Sequence, residues 1–495
     1  MSTADDLEAV AWYSTAYILT ITVFQPVFGA VYKHWNSAVV YQLAILVFEG
    51  GSALCATAVN SQMFIVGRAV AGFGAAGVLQ GALSIISQTV ALEQRPVYTS
   101  AVISVFLITV TVGPVLGGAF IQDVTWRWCF WINLPIGGVV LAGLAIFLRV
   151  PRRSSMHSLP LKTKIDNMDP LGSVLIMGSA CCLLLALQWA GDTKPWKSSD
   201  VIGCLAGGVS ISVLFILWQR KRQERALITP RVFKQRSIWT GCTSLFFLGA
   251  QAYAVPFFLS FWFQGVKGVT PVTTGVDFIA RLIPQFVALI GTGVLVKKFG
   301  HYMPYMVLGE IICLGGLAML TQIKPESSTV YWAAALVVTG LGSGMAMQMP
   351  YSAISVVLAD DDVSVGNAIA VFLNQLGGAL AVIWARPILT LSTLVDLVPQ
   401  RLPNVPLQLV KDVGVSDLAP LHLNTADLTI LRDIWNTAIA RTMLLCTAFI
   451  GTTLPFTLGM EWLNTKKEAE ARRQASALEA QGNAQDAEMV SQPGK

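Results

Sequence analysis

Two carboxylates in this chain stand where ionised side chains are costly. Glu49 lies about halfway along the apolar run 39–58, and Glu310 lies in the middle of the run 303–322. A charge held in hydrocarbon is expensive and marks function by default. Each carboxyl therefore reads either as a proton carrier or as a permanently protonated group bonding across helices. Arg68 sits five residues into the run 63–90, about 8 Å deep at 1.5 Å per residue. It either snorkels to the near interface or couples to a carboxylate. Asp277 and Arg281 stand four apart on 272–296, the spacing of an intrahelical ion pair. Asp360, Asp361 and Asp362 close the run 331–357 and read as a solvated helix end. Gln80, Gln348, Asn374 and Gln375 place amides in otherwise apolar runs. Such groups both donate and accept, which suits orienting a neutral ligand in an apolar cavity; interhelical bonding is the rival role.

The elements that carry these residues are membrane spans. Only 12% of the 495 residues are charged and 54% are hydrophobic, whereas a soluble domain carries about 25% charged residues. About thirteen runs are long enough to cross a bilayer: 11–33, 39–58, 63–90, 97–122, 128–149, 169–190, 200–219, 238–264, 272–296, 303–322, 331–357, 363–391 and 438–462. With no water in hydrocarbon to satisfy the backbone, each must be a helix. The fold class expected is an all-α membrane protein built as a helical bundle. Lysine and arginine crowd the connections 149–168 and 219–237 and the tail, and spare 59–62 and 265–271; the basic face is then cytoplasmic. Thirteen spans put the N-terminus outside.

Other chemistry finds little support. The eight cysteines form no CxxC pair, and the four histidines, His34, His157, His301 and His422, lie in connections. No metal site and no cofactor is expected. Basic residues without interleaved exposed aromatics argue against a nucleic-acid partner. The acidic start Met1–Glu8 lacks the basic character of a signal peptide. An intramembrane enzyme such as a prenyltransferase would need separate Asp-rich motifs, and the sole Asp cluster is the contiguous run 360–362.

The two halves of the chain resemble each other. Gly72-Phe-Gly74 with Gln80 returns as Gly340-Leu-Gly342 with Gln348, an offset of 268. Gly29 and Lys33 return as Gly293 and Lys297, an offset of 264, and Leu116–Ala119 returns as Leu376–Ala379, an offset of 260. Repeated halves in a helical membrane protein are a signature of transporters, with the substrate near the midplane between them. The runs 169–190 and 200–219 match neither half and read as an inserted pair.

Several of these segments carry a resemblance. Ile65-Val-Gly-Arg68-Ala-Val-Ala-Gly72-Phe-Gly74 is similar to motif B of the major facilitator superfamily, and Gly113-Pro114-Val-Leu-Gly117-Gly118 resembles its motif C, the antiporter motif. Trp126-Arg-Trp-Cys-Phe-Trp-Ile-Asn-Leu-Pro135 continues the match, and the inserted pair resembles the fourteen-helix drug:proton antiporter branch. The resemblance implies a two-half bundle that exports amphipathic organic compounds, such as drugs, toxins or secondary metabolites, against protons, and not an enzyme. It assigns Arg68 to proton coupling through a nearby carboxylate, and Gly113, Pro114, Gly117 and Gly118 to closing the cavity against leak. Gly29-Ala-Val-Tyr-Lys33 resembles the gating loop of motif A but lacks its Asp.

The organisation expected is an N-terminal half over 1–149, an inserted pair over 150–237, a C-terminal half over 238–463 with a long outer loop 392–437, and a polar tail over 464–495, helical then disordered. The partners are protons, a small organic substrate and the lipid bilayer. The state expected is a monomer in the plasma membrane, with a vacuolar or siderophore transporter as the alternative. Because 11–33 resembles the family's second helix, and its repeat partner 272–296 follows a further span, the first helix is expected to be missing.

Overall fold

The computed structural model describes residues 4–150, 160–190, 194–389, 393–403, 405–407, 410 and 423–491. Helices dominate, and the described residues contain no strand beyond two isolated bridges. The first half comprises α1 (Ala4–His34), α2 (Ser37–Ala56), α3 (Ser61–Thr89), α4 (Arg95–Asp123) and α5 (Asn133–Phe147). Two helices follow, α6 (Pro170–Trp189) and α7 (Ser199–Arg222). The second half comprises α8 (Arg236–Phe261), α9 (Ile279–Phe299), α10 (Met303–Thr321), α11 (Thr329–Met347), α12 (Met349–Val357), α13 (Val363–Leu389) and α14 (Thr425–Leu458). The tail forms α15 (Thr465–Ser491).

Short polar side chains start these helices where the run of apolar residues begins. Asn60 accepts from Met63 N at 2.7 Å and Asn424 from Asp427 N at 2.7 Å, and Ser198 and Ser328 do the same for α7 and α11. Each cap satisfies a backbone N–H that the first turn leaves free. Pro26, Pro256, Pro284 and Pro455 lie inside α1, α8, α9 and α14; each removes an internal hydrogen bond and favours a bend. Leu43, Val139, Phe147, Leu217, Val287 and Leu308 are exposed, as side chains facing lipid are.

Twelve helical segments among the described residues are long and apolar enough to cross a membrane. The 29-residue helix α4 stands outside that number, and several of its side chains lie outside the described residues. Three local expectations change. The span 331–357 is divided at Gln348 into α11 and α12. The helix α14 starts at Thr425, inside the segment expected as outer loop. The tail is helical to Ser491 rather than only at its start.

Within the first half, α3 packs against both α1 and α2; within the second, α11 packs against both α9 and α10. The halves meet through α1 against α13 and α9 against α4. This exchange is a pseudo-twofold relation, and the glycines of the repeat mark its register. A Cβ on Gly72 would crowd the Tyr17 carbonyl, and one on Gly340 would collide with the carbonyl of Arg281. Tyr17 and Arg281 differ by 264, the same offset as Gly29 and Gly293. The helices α4 and α13 correspond at 268, since Pro96 and Ser364 play matching parts described below. The Leu116–Ala119 repeat at 260 is therefore out of register by eight residues. A glycine-rich chain repeats small residues on a helix face without structural equivalence.

Asp169 organises α6 and α7. It is fully buried and caps α6 from a left-handed conformation. Its carboxylate accepts from Trp218 Nε1 at 2.8 Å, Gln219 Nε2 at 2.8 Å, Leu227 N at 3.2 Å and Gly172 N at 3.1 Å. One carboxylate thereby ties the head of α6 to the end of α7 and the segment beyond it.

Candidate functional site

A small cavity lies between the halves. Leu79 and Leu83 of α3 with Ile103 and Phe106 of α4 form one wall; Tyr253, Tyr351, Asn374 and Gln375 contribute to the other. Its volume is about 50 Å³, far below the roughly 300–1,000 Å³ of a site for a drug-sized ligand. In this conformation it is too small to hold such a ligand. Asn374 donates to Leu245 O at 3.0 Å, and Gln375 Oε1 accepts from Thr22 of α1 at 3.2 Å. Both side chains are among those lining this cavity. Gln80 and Gln348 lie outside that lining, fully buried, and each donates to a backbone carbonyl of the opposite half.

The basic face is closed by charges that cross between the halves. Lys33, at the end of α1, donates to Asp362 at 2.8 Å, and Arg95 of α4 donates to Asp360 at 3.0 Å. Arg231, in the segment before α8, binds the second oxygen of Asp362 at 2.7 Å. Arg472 of α15 lies 3.5 Å from Asp360 and donates to the carbonyls of Val356 and Leu358, while Arg473 pairs with Glu93 at 3.1 Å. Leu92, Val356 and Ala469 form a small apolar cluster at the same seam. The expectation of a solvated Asp360–Asp362 end is thus corrected for Asp362, which is 4% exposed. Burial alone would raise its carboxyl, but the hydrogen bonds and charges of Lys33 and Arg231 outweigh that and hold it below the ordinary 3.8. The Asp362 charge in turn raises the Arg231 guanidinium.

Gly29 packs directly on Ala368 and Ser364 of α13, which brings Lys33 within reach of Asp362. Gly29 and Lys33 thus lie in the last turns of α1 rather than in a loop, and Lys33 finds its carboxylate on the other half, 329 residues away.

The remaining expected site residues are dispersed. Arg68 donates to Tyr13 O at 2.8 Å and lies 4.3 Å over the Tyr17 ring. Glu49 is half-buried on α2 against Gly137 of α5, and its Oε2 has no hydrogen-bond partner. Among the described residues Arg68 and Glu49 form no ion pair. Glu310 is fully buried on α10; it accepts from Thr457 at 2.6 Å, and its Oε2 has no partner. Asp277 ends the short helix Pro271–Asp277, while Arg281 is buried on α9. The expected ion pair between them is absent among the described residues, because the helix is interrupted at Phe278 between their turns. Among the described residues, a Cβ on Gly113 would meet nothing within 4 Å, and one on Gly117 only Cys129 Sγ at 4.0 Å. The side chain of Pro114 and the surroundings of Gly118 lie outside the described residues.

Sequence reasoning gave no site role to Arg95, Asp169, Arg231 or Arg472, and read Asp362 only as part of a solvated helix end. Only Asp169 carried a local signal, an Asp directly before Pro at the head of an apolar run, the pattern of an N-cap.

Comparison with known proteins matches the profile of the Major Facilitator Superfamily to residues 3–382. The chain is 35% identical to the MFS-type efflux pump MFS1 of Arthroderma benhamiae, over 93% of this chain and 85% of that protein. It is 33% identical to the efflux pump hmp6 of Hypomyces subiculosus, over 94% and 83% respectively. Among solved structures, the human organic anion transporter MFSD10 shares the fold with a TM-score of 0.54 at 13% identity, over 89% of this chain and 83% of that one. These matches lend no support to a missing first helix. The chain belongs to the major facilitator superfamily, a family of membrane transporters and not of enzymes.

Proposed function

We propose that this protein exports small amphipathic organic compounds, such as drugs, toxins or secondary metabolites, by alternating access coupled to proton entry. The observation that carries the reading is the arrangement of the inter-half cavity. Apolar side chains from both halves converge on it, and ion pairs that cross between the halves close the basic face beneath it. By the Lys/Arg excess that face is cytoplasmic. A rocking motion that broke Lys33–Asp362 and Arg95–Asp360 would widen the cavity toward the cytoplasm, where an exported compound must enter. The efflux pumps that it resembles in sequence support the direction.

On this reading α4 joins the twelve candidate spans of the described residues as a thirteenth, and α6 and α7 form a pair inserted between the halves. Asn374 and Gln375 orient the substrate in an otherwise apolar pocket. Glu310 is the carboxylate best placed to carry the proton: it is sealed from water and anchored through one oxygen only. Glu49 of α2, half-buried against α5, is the second candidate.

The test is transport in proteoliposomes. A fluorescent amphipathic compound should accumulate on the acidic side of an imposed pH gradient, and collapse of the gradient should stop it. Gradient-independent equilibration of every compound tried would overturn proton coupling.

A further inference from the structure

Gln80 of α3 donates through Nε2 to the carbonyl of Ser364, in the first turn of α13, at 2.7 Å. Gln348, at the break between α11 and α12, donates through Nε2 to the carbonyl of Pro96, in the first turn of α4, at 2.6 Å. Each amide also lies 3.4 Å from a serine hydroxyl four residues on, Ser84 and Ser352. Both glutamines are fully buried. Each sits nine residues before the end of its hairpin arm, Thr89 or Val357, on the basic-face side. These are the same bonds made twice, once from each half to the other.

The copies differ at one atom. Ser100 Oγ lies against Gln348 Oε1, with the carbonyls of Pro96 and Leu289 also within reach of its single proton at 2.8 and 2.9 Å, whereas Gln80 Oε1 is buried without a hydrogen-bond partner. The position of Ser100 corresponds to Ala368 at the same offset of 268 that relates Pro96 to Ser364. Contacts agree: Ser100 packs against Gly293, and Ala368 packs against Gly29. Where one half offers a hydroxyl, the other offers a methyl group.

We infer that Gln80 and Gln348 are paired positioning residues of the transport cycle, and that the orphaned oxygen makes the Gln80 interlock the weaker of the two. Both bonds must break for the basic face to open. Water then solvates the freed groups, so each interlock contributes modestly to the closed state. A buried carbonyl with no donor reduces what the Gln80 interlock contributes, and that side releases first. The inference rests on the alternating-access reading above, but its distance measurements need neither substrate nor pH gradient.

Spin labels at Gln94→Cys and Lys298→Cys, in an otherwise cysteine-free protein, report the separation of the halves at the basic face. Gln348→Leu should raise the open-to-closed ratio on the order of tenfold, and Gln80→Leu only about threefold. Ala368→Ser supplies the missing hydroxyl at a site whose counterpart already holds serine. It should lower the open fraction on the order of tenfold and reduce turnover with little change in KM. It should have no effect once Gln80 is leucine. Equal effects of the two leucine variants, or an Ala368→Ser protein with wild-type distances and turnover, would overturn the inference. If either leucine variant fails to fold, Ala368→Ser, a one-atom addition, decides alone.

Discussion

Asp362 concentrates the closure of the basic face on one side chain, so neutralising it should shift the conformational balance by a calculable amount. In Asp362→Asn the shape is kept, and the charge that holds Lys33 at 2.8 Å and Arg231 at 2.7 Å is lost. Lys33 is largely buried, with 16% side-chain exposure. Its charge-assisted hydrogen bond contributes about 1.5–3 kcal/mol, part of which an amide oxygen retains. Arg231 is 62% exposed, and solvent screening limits that pair to about 0.5 kcal/mol. The net loss is about 2 kcal/mol, on the order of a 30-fold rise in the open-to-closed ratio. Distance distributions between labels at Gln94 and Lys298 measure that ratio directly. A double-mutant cycle with Lys33→Gln isolates the pair, and its coupling energy should recover most of the loss. A cycle whose two single effects simply add, or an unchanged distance distribution in Asp362→Asn, would refute the assignment of closure to this pair.

Three further outcomes are expected. The Asp362 carboxyl is held below its ordinary value, so its contribution to closure is complete above about pH 4 and is lost only as pH falls through the lowered value; the closed fraction attributable to this pair should stay flat between about pH 5 and pH 8 in the distance assay. Asp169→Ala leaves the donors of Trp218, Gln219 and Leu227 buried without their acceptor, and should destabilise the detergent-solubilised protein by about 3–5 kcal/mol, read as a lowered Tm, with Asp169→Asn intermediate. Glu310→Gln keeps the acceptor for Thr457 and should reduce pH-driven flux at least roughly tenfold while leaving binding intact, the size of loss expected when a proton-transfer group is removed; Glu49→Gln, on a surface against α5, should reduce it less, and the reverse order would move the proton carrier to the first half.

The spans were legible because hydrocarbon admits little but helix, so a run of apolar residues is nearly a structural statement. The pairing of Gly72 with Gly340 and of Gln80 with Gln348 was legible for a related reason: a repeat preserves the positions where helices touch most closely. What the amides do was not legible. Whether a buried glutamine faces a ligand or a backbone carbonyl depends on which helix lies opposite, and Ser364 is 284 residues from Gln80. Asp362 misled for the same reason, since a contiguous Asp run at a helix end looks solvated unless Lys33 and Arg231 are known to converge there.

The tail helix is fixed at its base. Arg472 grips the carbonyls at the end of α12, Arg473 reaches Glu93 beyond α3, and Ala469 fills the seam between them. From Arg473 to Ser491 the helix extends about 27 Å at 1.5 Å per residue. A tilt of about 10° at the seam would displace its far end by about 5 Å over that length. The molecule thus carries its own pointer: a dye at the far end of α15 would turn each rocking of the halves into a displacement large enough to follow, one transporter at a time.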